Sequence, residues 1–268
     1  MSDVLRSILG RPGVPKRKKS RNQIQTDKEN HQALLFHQSD YFRTLRDKLS
    51  PEEAIIIWDY TRIHETQIFK LHDLGMLLIT REYGLGAPTE KHHFDYLCDA
   101  KHDYQYSRMV WNMFRIEAAL FRYTKIYIWA DNGFKSKEIL FHFSCMAKEE
   151  TFSLEIHYFA PYHGHSEVDA HFGQAKRALR NSHAGRTLSQ ARDVGFVFGA
   201  LPNTIVADLD KPEVLDLRVA PLKGIRNFYS FCFDQHGNIQ CRIQSGVRDY
   251  VTKTIIAMGP DGGNKMYR

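Results

Sequence analysis

The stretch Glu155-Ile-His-Tyr-Phe-Ala-Pro-Tyr-His-Gly-His-Ser-Glu-Val-Asp-Ala-His-Phe-Gly-Gln-Ala-Lys176 reads as a buried strand, a turn rich in histidine and glycine, and a helix. Ile156, Tyr158 and Phe159 are strand formers, and Pro161 ends the run because it has no N–H for a ladder. Ser166 followed three residues later by Asp169 is the spacing of a helix start. Asp169 therefore falls in the first turn of a helix just beyond a strand end. Two other aspartates follow apolar runs: Asp59 in Ala54-Ile-Ile-Ile-Trp-Asp59, and Asp131 in Ile126-Tyr-Ile-Trp-Ala-Asp-Asn-Gly133. Three such acids can converge on one edge of a sheet.

The flanking pattern supplies that sheet. Leu34, Leu35, Tyr41, Phe42, Leu45 and Leu49 recur at three- and four-residue intervals and predict an amphipathic helix over 31–49. Ala54 to Asp59 is a short apolar run, as in a strand buried on both faces. Phe69–Leu71 and Met76–Thr80 read as two further strands joined by a tight turn at His72-Asp-Leu-Gly75, and Tyr83–Asp103 as irregular chain. Apolar residues at helical period predict a helix from Met109 to Tyr123, a strand follows at Lys125–Ala130, and a second helix at Lys137–Ala147. Three antiparallel strands followed by alternating helices and parallel strands make an α/β, ribonuclease H-like mixed sheet.

Beyond residue 185 the pattern breaks into short strand-like pieces at 195–199, 203–206, 214–219, 229–233 and 238–243, with Gln235-His-Gly-Asn238 as a hairpin turn. The expected organisation is a basic flexible arm (1–30), a catalytic core (31–185), a β-rich C-terminal extension (186–258) and a disordered tail (259–268).

With 268 residues, 43% of them hydrophobic, the chain can bury one sizeable core. Its net charge of +6 is unevenly spread, with Lys16-Arg-Lys-Lys-Ser-Arg21 packed into the arm, a cluster suited to a polyanion or a nuclear-localisation signal. Cys98, Cys145, Cys232 and Cys241 show no Cys-x-x-Cys spacing and fit a reducing compartment. No run reaches the ~18 apolar residues that span a bilayer, and none near Met1 has signal-peptide length, so a soluble, non-secreted protein is expected.

A ribonuclease H-like sheet supports phosphodiester hydrolysis or strand transfer, in which two divalent cations about 3.5–4 Å apart clamp the attacking and leaving oxygens. Magnesium, or manganese in its place, takes hard oxygen ligands, and Asp59, Asp131 and Asp169 occupy three separate rigid elements able to supply them. Each acid also has a plainer reading. Asp131-Asn-Gly has the composition of a turn, Asp169 can cap its helix with Ser166, and Asp59 can pair with Arg62.

Trp129-Ala-Asp-Asn-Gly-Phe-Lys-Ser-Lys137 resembles the second-aspartate motif of DDE/D transposases and retroviral-type integrases. The nearer resemblance is to a transposon-derived domain of eukaryotic proteins. That domain carries an Asp-Asn turn with a nearby lysine, then a Gly-His-Ser and an Asp before Phe-Gly, matched by Asp131, Asn132, Lys137, Gly164, His165, Ser166, Asp169, Phe172 and Gly173. It also has an early strand ending in Asp, matched by Asp59. The resemblance implies cleavage and joining of DNA in the nucleus with two magnesium ions on Asp59, Asp131 and Asp169, and self-association on DNA. It singles out His165 among His157, His163, His165 and His171 as the histidine that orients a metal-bound carboxylate or shuttles a proton.

Lys16, Arg17, Lys18 and Lys19 of the arm, with Lys135, Lys137, Lys176, Arg177 and Arg180, are the candidate phosphate contacts. Glu167 competes with Asp169 for the third acidic position. Two helical residues lie about 200° apart, so only one faces the sheet edge, and the apolar face of Val168 and Phe172 does not decide between them; the resemblance favours Asp169. A reading from another class also stands: a domesticated, non-catalytic nucleic-acid-binding or scaffolding protein that keeps the fold.

Overall fold

The computed structural model describes residues 21–65, 70–84, 87–99, 103–160, 167–182, 191–210, 212, 217–246 and 248–258. The chain runs α1 (Arg21–Asp47), β1 (Glu53–Glu65), β2 (Lys70–Arg81), β3 (Thr89–Cys98), α2 (Tyr104–Glu117), β4 (Lys125–Ala130), α3 (Lys137–Glu149), β5 (Ser153–Tyr158), α4 (Glu167–Ser182) and α5 (Ala191–Phe198). It continues as β6 (Thr204–Asp208), β7 (Arg218–Val219), β8 (Ser230–Phe233), β9 (Asn238–Arg242), β10 (Val251–Thr254) and β11 (Ala257–Met258).

Nine strands form one mixed sheet in the order β10-β9-β8-β5-β4-β1-β2-β3-β6. β1, β2 and β3 are antiparallel neighbours, while β4 and β5 continue from β1 in parallel. β6 joins β3 in parallel, and β8, β9 and β10 extend the other side as an antiparallel run.

The apolar run of β1 is central because both its faces are covered. Ala54, Ile56 and Trp58 point to one side, where Trp58 meets Trp111 of α2 edge-on at 5.4 Å and Phe134 at 4.1 Å. Ile55 and Ile57 point to the other, packed with Trp129, Val168 and Phe172 and with Tyr41, Phe42 and Leu45 of α1. Each such side chain contributes roughly 1.5–3 kcal/mol by leaving water.

Several elements differ from the sequence reading. β2 passes unbroken through His72-Asp-Leu-Gly75, where a turn is expected. Residues 71–79 are all buried, so period-2 alternation vanishes, and Asp73 and Gly75 imitate turn chemistry while sitting inside the strand. β3 lies in the segment expected to be irregular; its charged first half, Thr89-Glu-Lys-His-His, hides a strand whose second half, Phe94–Cys98, is buried. Residues 195–199 lie in and just after α5 rather than in a strand. Val194 and Phe198, four apart, are buried while Phe196 between them is exposed, which suits a helix and not a strand.

Of the C-terminal strands, β6 and β8 to β10 lengthen the large sheet at its two ends, while β7 and β11 pair as a separate two-stranded sheet. The hairpin between β8 and β9 is as expected: Asp234 Oδ1 accepts from His236 and Asn238 N–H at 2.8 and 2.9 Å, and Gly237 takes φ +76°. α1 begins at Arg21, so residues 21–30 of the expected flexible arm are helical, supported by Gln25 donating to Glu29 one turn on. Lys16 to Lys19 and the 259–268 tail lie outside the described residues.

Candidate functional site

Asp59 sits in β1 on the face covered by α4, beyond the wholly buried Ala54–Trp58. Burial pushes its carboxyl up to about 7. The Tyr60 N–H, 2.7 Å from Oδ1, opposes this, while the charges of Asp169 and Asp131 and a hydrogen bond shared with Asp169 reinforce it. The three aspartates thus occupy one electrostatic neighbourhood: Asp59 from β1, Asp131 from the end of β4, and Asp169 from the first turn of α4. Desolvation and like charge are the two effects that raise a carboxylate pKa, and both act here. Among the described residues, no group of three or more His, Cys, Asp or Glu side chains is placed so that it could hold a metal ion.

Asp131 caps the short turn at Asn132–Phe134, accepting from the Gly133 N–H at 3.3 Å. Asn132 donates its amide to the Phe159 carbonyl, so the turn is fastened to the end of β5. Phe134 anchors it from the other side by packing its ring, tilted by 37°, against Trp58.

Glu167 and Asp169 have different surroundings. Glu167 is paired with Arg46 of α1 at 3.4 Å and with Lys91 of β3, which ties the start of α4 to two other elements. Asp169 is exposed and hydrogen-bonded to Asp59. Both acids lie in the first turn, where the helix dipole favours negative charge.

Further along, α4 is held to the sheet by polar contacts that the sequence did not single out. His171 Nε2 and Asp95 Oδ2 lie 2.7 Å apart, both side chains almost wholly buried, and His93 stacks on the His171 ring at 3.9 Å. Burial lowers His93 to about 4, helped by His171, Lys91 and His92. Lys176 Nζ donates to Thr61 Oγ1 at 2.6 Å. Asp73, opposite Thr61, is fully buried; burial first and Asp95 second push its carboxyl well above the usual range, against the Tyr96 N–H and the Lys176 ammonium. Gly75 lies between these groups, and its lack of a side chain lets Phe172 rest on the sheet. The only sequence signal for these contacts was a polar residue inside an apolar run.

Of the candidate phosphate contacts, three are engaged within the protein. Lys135 donates to the Phe228 carbonyl at 2.9 Å and lies over the Tyr229 ring at 4.2 Å; burial lowers it to about 8, against the pull of Asp131. Lys137 donates to the Val219 carbonyl, and Lys176 is on Thr61. Arg177 and Arg180 are exposed on α4. His157 is buried against Trp129 at 4.8 Å with Nδ1 3.0 Å from Ser245 Oγ, and burial lowers its pKa. His163 and His165 lie outside the described residues.

No protein-family model matches the chain, and no curated protein does. Among solved structures it is similar to endonuclease V of Ciona intestinalis, crystallised with a 24-mer DNA containing an inosine followed by a ribo-adenosine. The identity is 12%, over 62% of this chain and 70% of that one, with a TM-score of 0.20, a likeness too slight to bear on function. No helix among the described residues is long and apolar enough to cross a membrane.

Proposed function

We propose that the chain is a ribonuclease H-like, metal-dependent nuclease of the transposase or integrase type, with Asp59, Asp131 and Asp169 as its metal-holding acids. The observation that carries this reading is the raised Asp59 carboxyl flanked by Asp169 and Asp131, three acids from three rigid elements. The strand order β3-β2-β1-β4-β5, with only β2 antiparallel to its neighbours, supports the fold assignment.

In chemistry the donors suit magnesium or manganese, being all oxygen, anionic and under a mutual repulsion that a divalent cation would relieve by drawing the three acids together. Bound there, such ions supply charge neutralisation at a phosphodiester and an activated water. The protein's own part is positional. β1 fixes Asp59, the Asn132–Phe159 bond fixes the Asp131 turn, and the Glu167 pairs with Arg46 and Lys91 fix the first turn of α4 that carries Asp169. Arg177 and Arg180 are the described candidates for contacting DNA phosphates, and Lys16, Arg17, Lys18 and Lys19 are further candidates from the sequence. His165 is proposed to orient one of the acids, and the nucleus is the proposed compartment.

The second reading is a domesticated, non-catalytic nucleic-acid-binding or scaffolding protein that keeps the fold; its scaffolding form is favoured by Lys135, Lys137 and Lys176 being bound within the fold rather than offered to a ligand. Cleavage of a labelled duplex with manganese separates the two. Asp169→Asn is expected to abolish metal-dependent cleavage, and Glu167→Gln to keep most of it while loosening α4. Cleavage absent from the wild-type chain, or lost in Glu167→Gln but kept in Asp169→Asn, contradicts the assignment.

A further inference from the structure

A cleft of about 280 Å³ lies between α1 and the start of α4. Its floor includes Ile57, two residues before Asp59 on the same face of β1, and its lip includes Glu167, two residues before Asp169. The cleft therefore opens beside the three acids, and its chemistry differs from theirs. Phe42 and Phe159 give it an aromatic wall, Arg43 and Arg46 a positive rim, and Gln38 and Ser39 a polar end.

Gln38 is the decisive residue. It is 2% exposed. Its Nε2 donates to the Tyr158 carbonyl at 2.6 Å, which fixes the orientation of the amide, and its Oε1 is buried with no hydrogen-bond partner among the described residues. A buried acceptor in this state is costly unless something supplies a donor; because Oε1 is closed to solvent, the Gln38 side chain has to turn towards the cleft to meet one there. Arg43 is exposed and has no ion pair among the described residues, whereas Arg46 is shared with Glu167. Three residues apart on α1, the two guanidinium groups lie on the same side of the helix.

The occupant that answers these features has a planar ring for Phe42 and Phe159, an N–H edge for Gln38 Oε1, and an anionic group for Arg43. A divalent cation does not: the single carboxylate at the lip, Glu167, is already paired twice. The volume, about 280 Å³ and just below the roughly 300–1,000 Å³ typical of ligand pockets, suits one ring with its phosphate rather than a larger molecule. We infer that the cleft between α1 and the start of α4 seats one nucleotide unit of the strand whose neighbouring phosphate meets Asp59, Asp131 and Asp169. The inference rests on the nuclease reading for the identity of that strand. Ring stacking and a cationic rim are the sequence-tolerant means by which proteins grip single-stranded nucleic acid.

The test is calorimetric titration of the full chain, free of divalent cations, with adenosine 5′-monophosphate, cytidine 5′-monophosphate, adenosine and inorganic phosphate. At least one mononucleotide is expected to bind at least tenfold more tightly than either adenosine or phosphate alone. Arg43→Ala, which removes the rim charge, and Ser39→Trp, which fills the cleft from an exposed helical position, are each expected to weaken it at least tenfold. Arg226→Ala, which removes an exposed cation outside the cleft, is expected to leave it unchanged. No mononucleotide binding, equal binding of phosphate, or binding untouched by both cleft variants overturns the inference. The two readings fail separately. Mononucleotide binding with this variant pattern in a protein that cleaves nothing removes only the nuclease reading, whereas cleavage without such binding removes only the cleft.

Discussion

Gly75 of β2 stands directly opposite Asp59 of β1, and a Cβ on Gly75 would lie 2.6 Å from Cε1 of Phe172. The missing side chain lets α4 settle on the sheet beside Asp59. Phe172 lies one helical turn after Asp169, so the packing at Gly75 sets the height at which Asp169 meets Asp59.

Gly75→Val is therefore expected to cost about 1–3 kcal/mol by overpacking and to lower metal-dependent cleavage by more than the loss of folded protein accounts for. Denaturant unfolding beside a cleavage assay measures both. Full activity per folded molecule contradicts the link between this packing and the site.

The raised Asp59 carboxyl makes a stability prediction of definite sign. In the unfolded chain an aspartate titrates near 3.8; in the fold this one is raised to about 7. Between these values the native state holds the extra proton, so the chain loses stability as pH rises from about 4 to 7 and carries the full penalty above. Asp59→Asn removes the charge. Without divalent cations at pH 8 it is expected to be more stable than wild type by on the order of 2 kcal/mol, the gain shrinking towards pH 4. Melting curves across that range check it, and a gain that grows on acidification reverses the sign.

The buried pair of Asp95 and His171 fastens the middle of α4 to β3. Replacing either partner alone by leucine is expected to cost on the order of 3 kcal/mol, since the other is left buried without its partner. The double replacement is expected to cost clearly less than the two single losses together. A double-mutant cycle reads the coupling, and additive losses show that the two groups do not interact.

Much of this was legible in the sequence wherever burial and periodicity agree. β1, β4 and β5 announce themselves as apolar runs, and α2 and α3 as helical stripes. β2 and β3 did not, because Asp73, Gly75 and Asp95 interrupt their apolar pattern, and these residues answer to α4, which lies about a hundred residues further on in sequence. The helix at 191–198 was misread because Gly195 and Gly199 bracket an apolar triplet that mimics a strand. The apolar pattern of α4 does not separate Glu167 from Asp169, because the partners of Glu167, Arg46 and Lys91, are brought to it only by the fold. Lys135 and Lys137 look like surface cations in sequence, yet the Phe228 and Val219 carbonyls that hold them belong to the C-terminal strands and their connections.

Melting of the wild-type chain at pH 7.5 with and without millimolar magnesium or manganese, beside Asp59→Asn and Asp169→Asn, asks whether the three acids hold a cation. Saturation about a hundredfold above Kd stabilises a protein by about 2.7 kcal/mol, which at this chain length raises Tm by roughly 5 °C or more. The expected result is that rise in wild type, absent from both variants and not reproduced by sodium chloride of equal ionic strength. A wild-type Tm indifferent to both metals, or a rise that persists unchanged in Asp59→Asn and Asp169→Asn, contradicts a metal site at Asp59, Asp131 and Asp169.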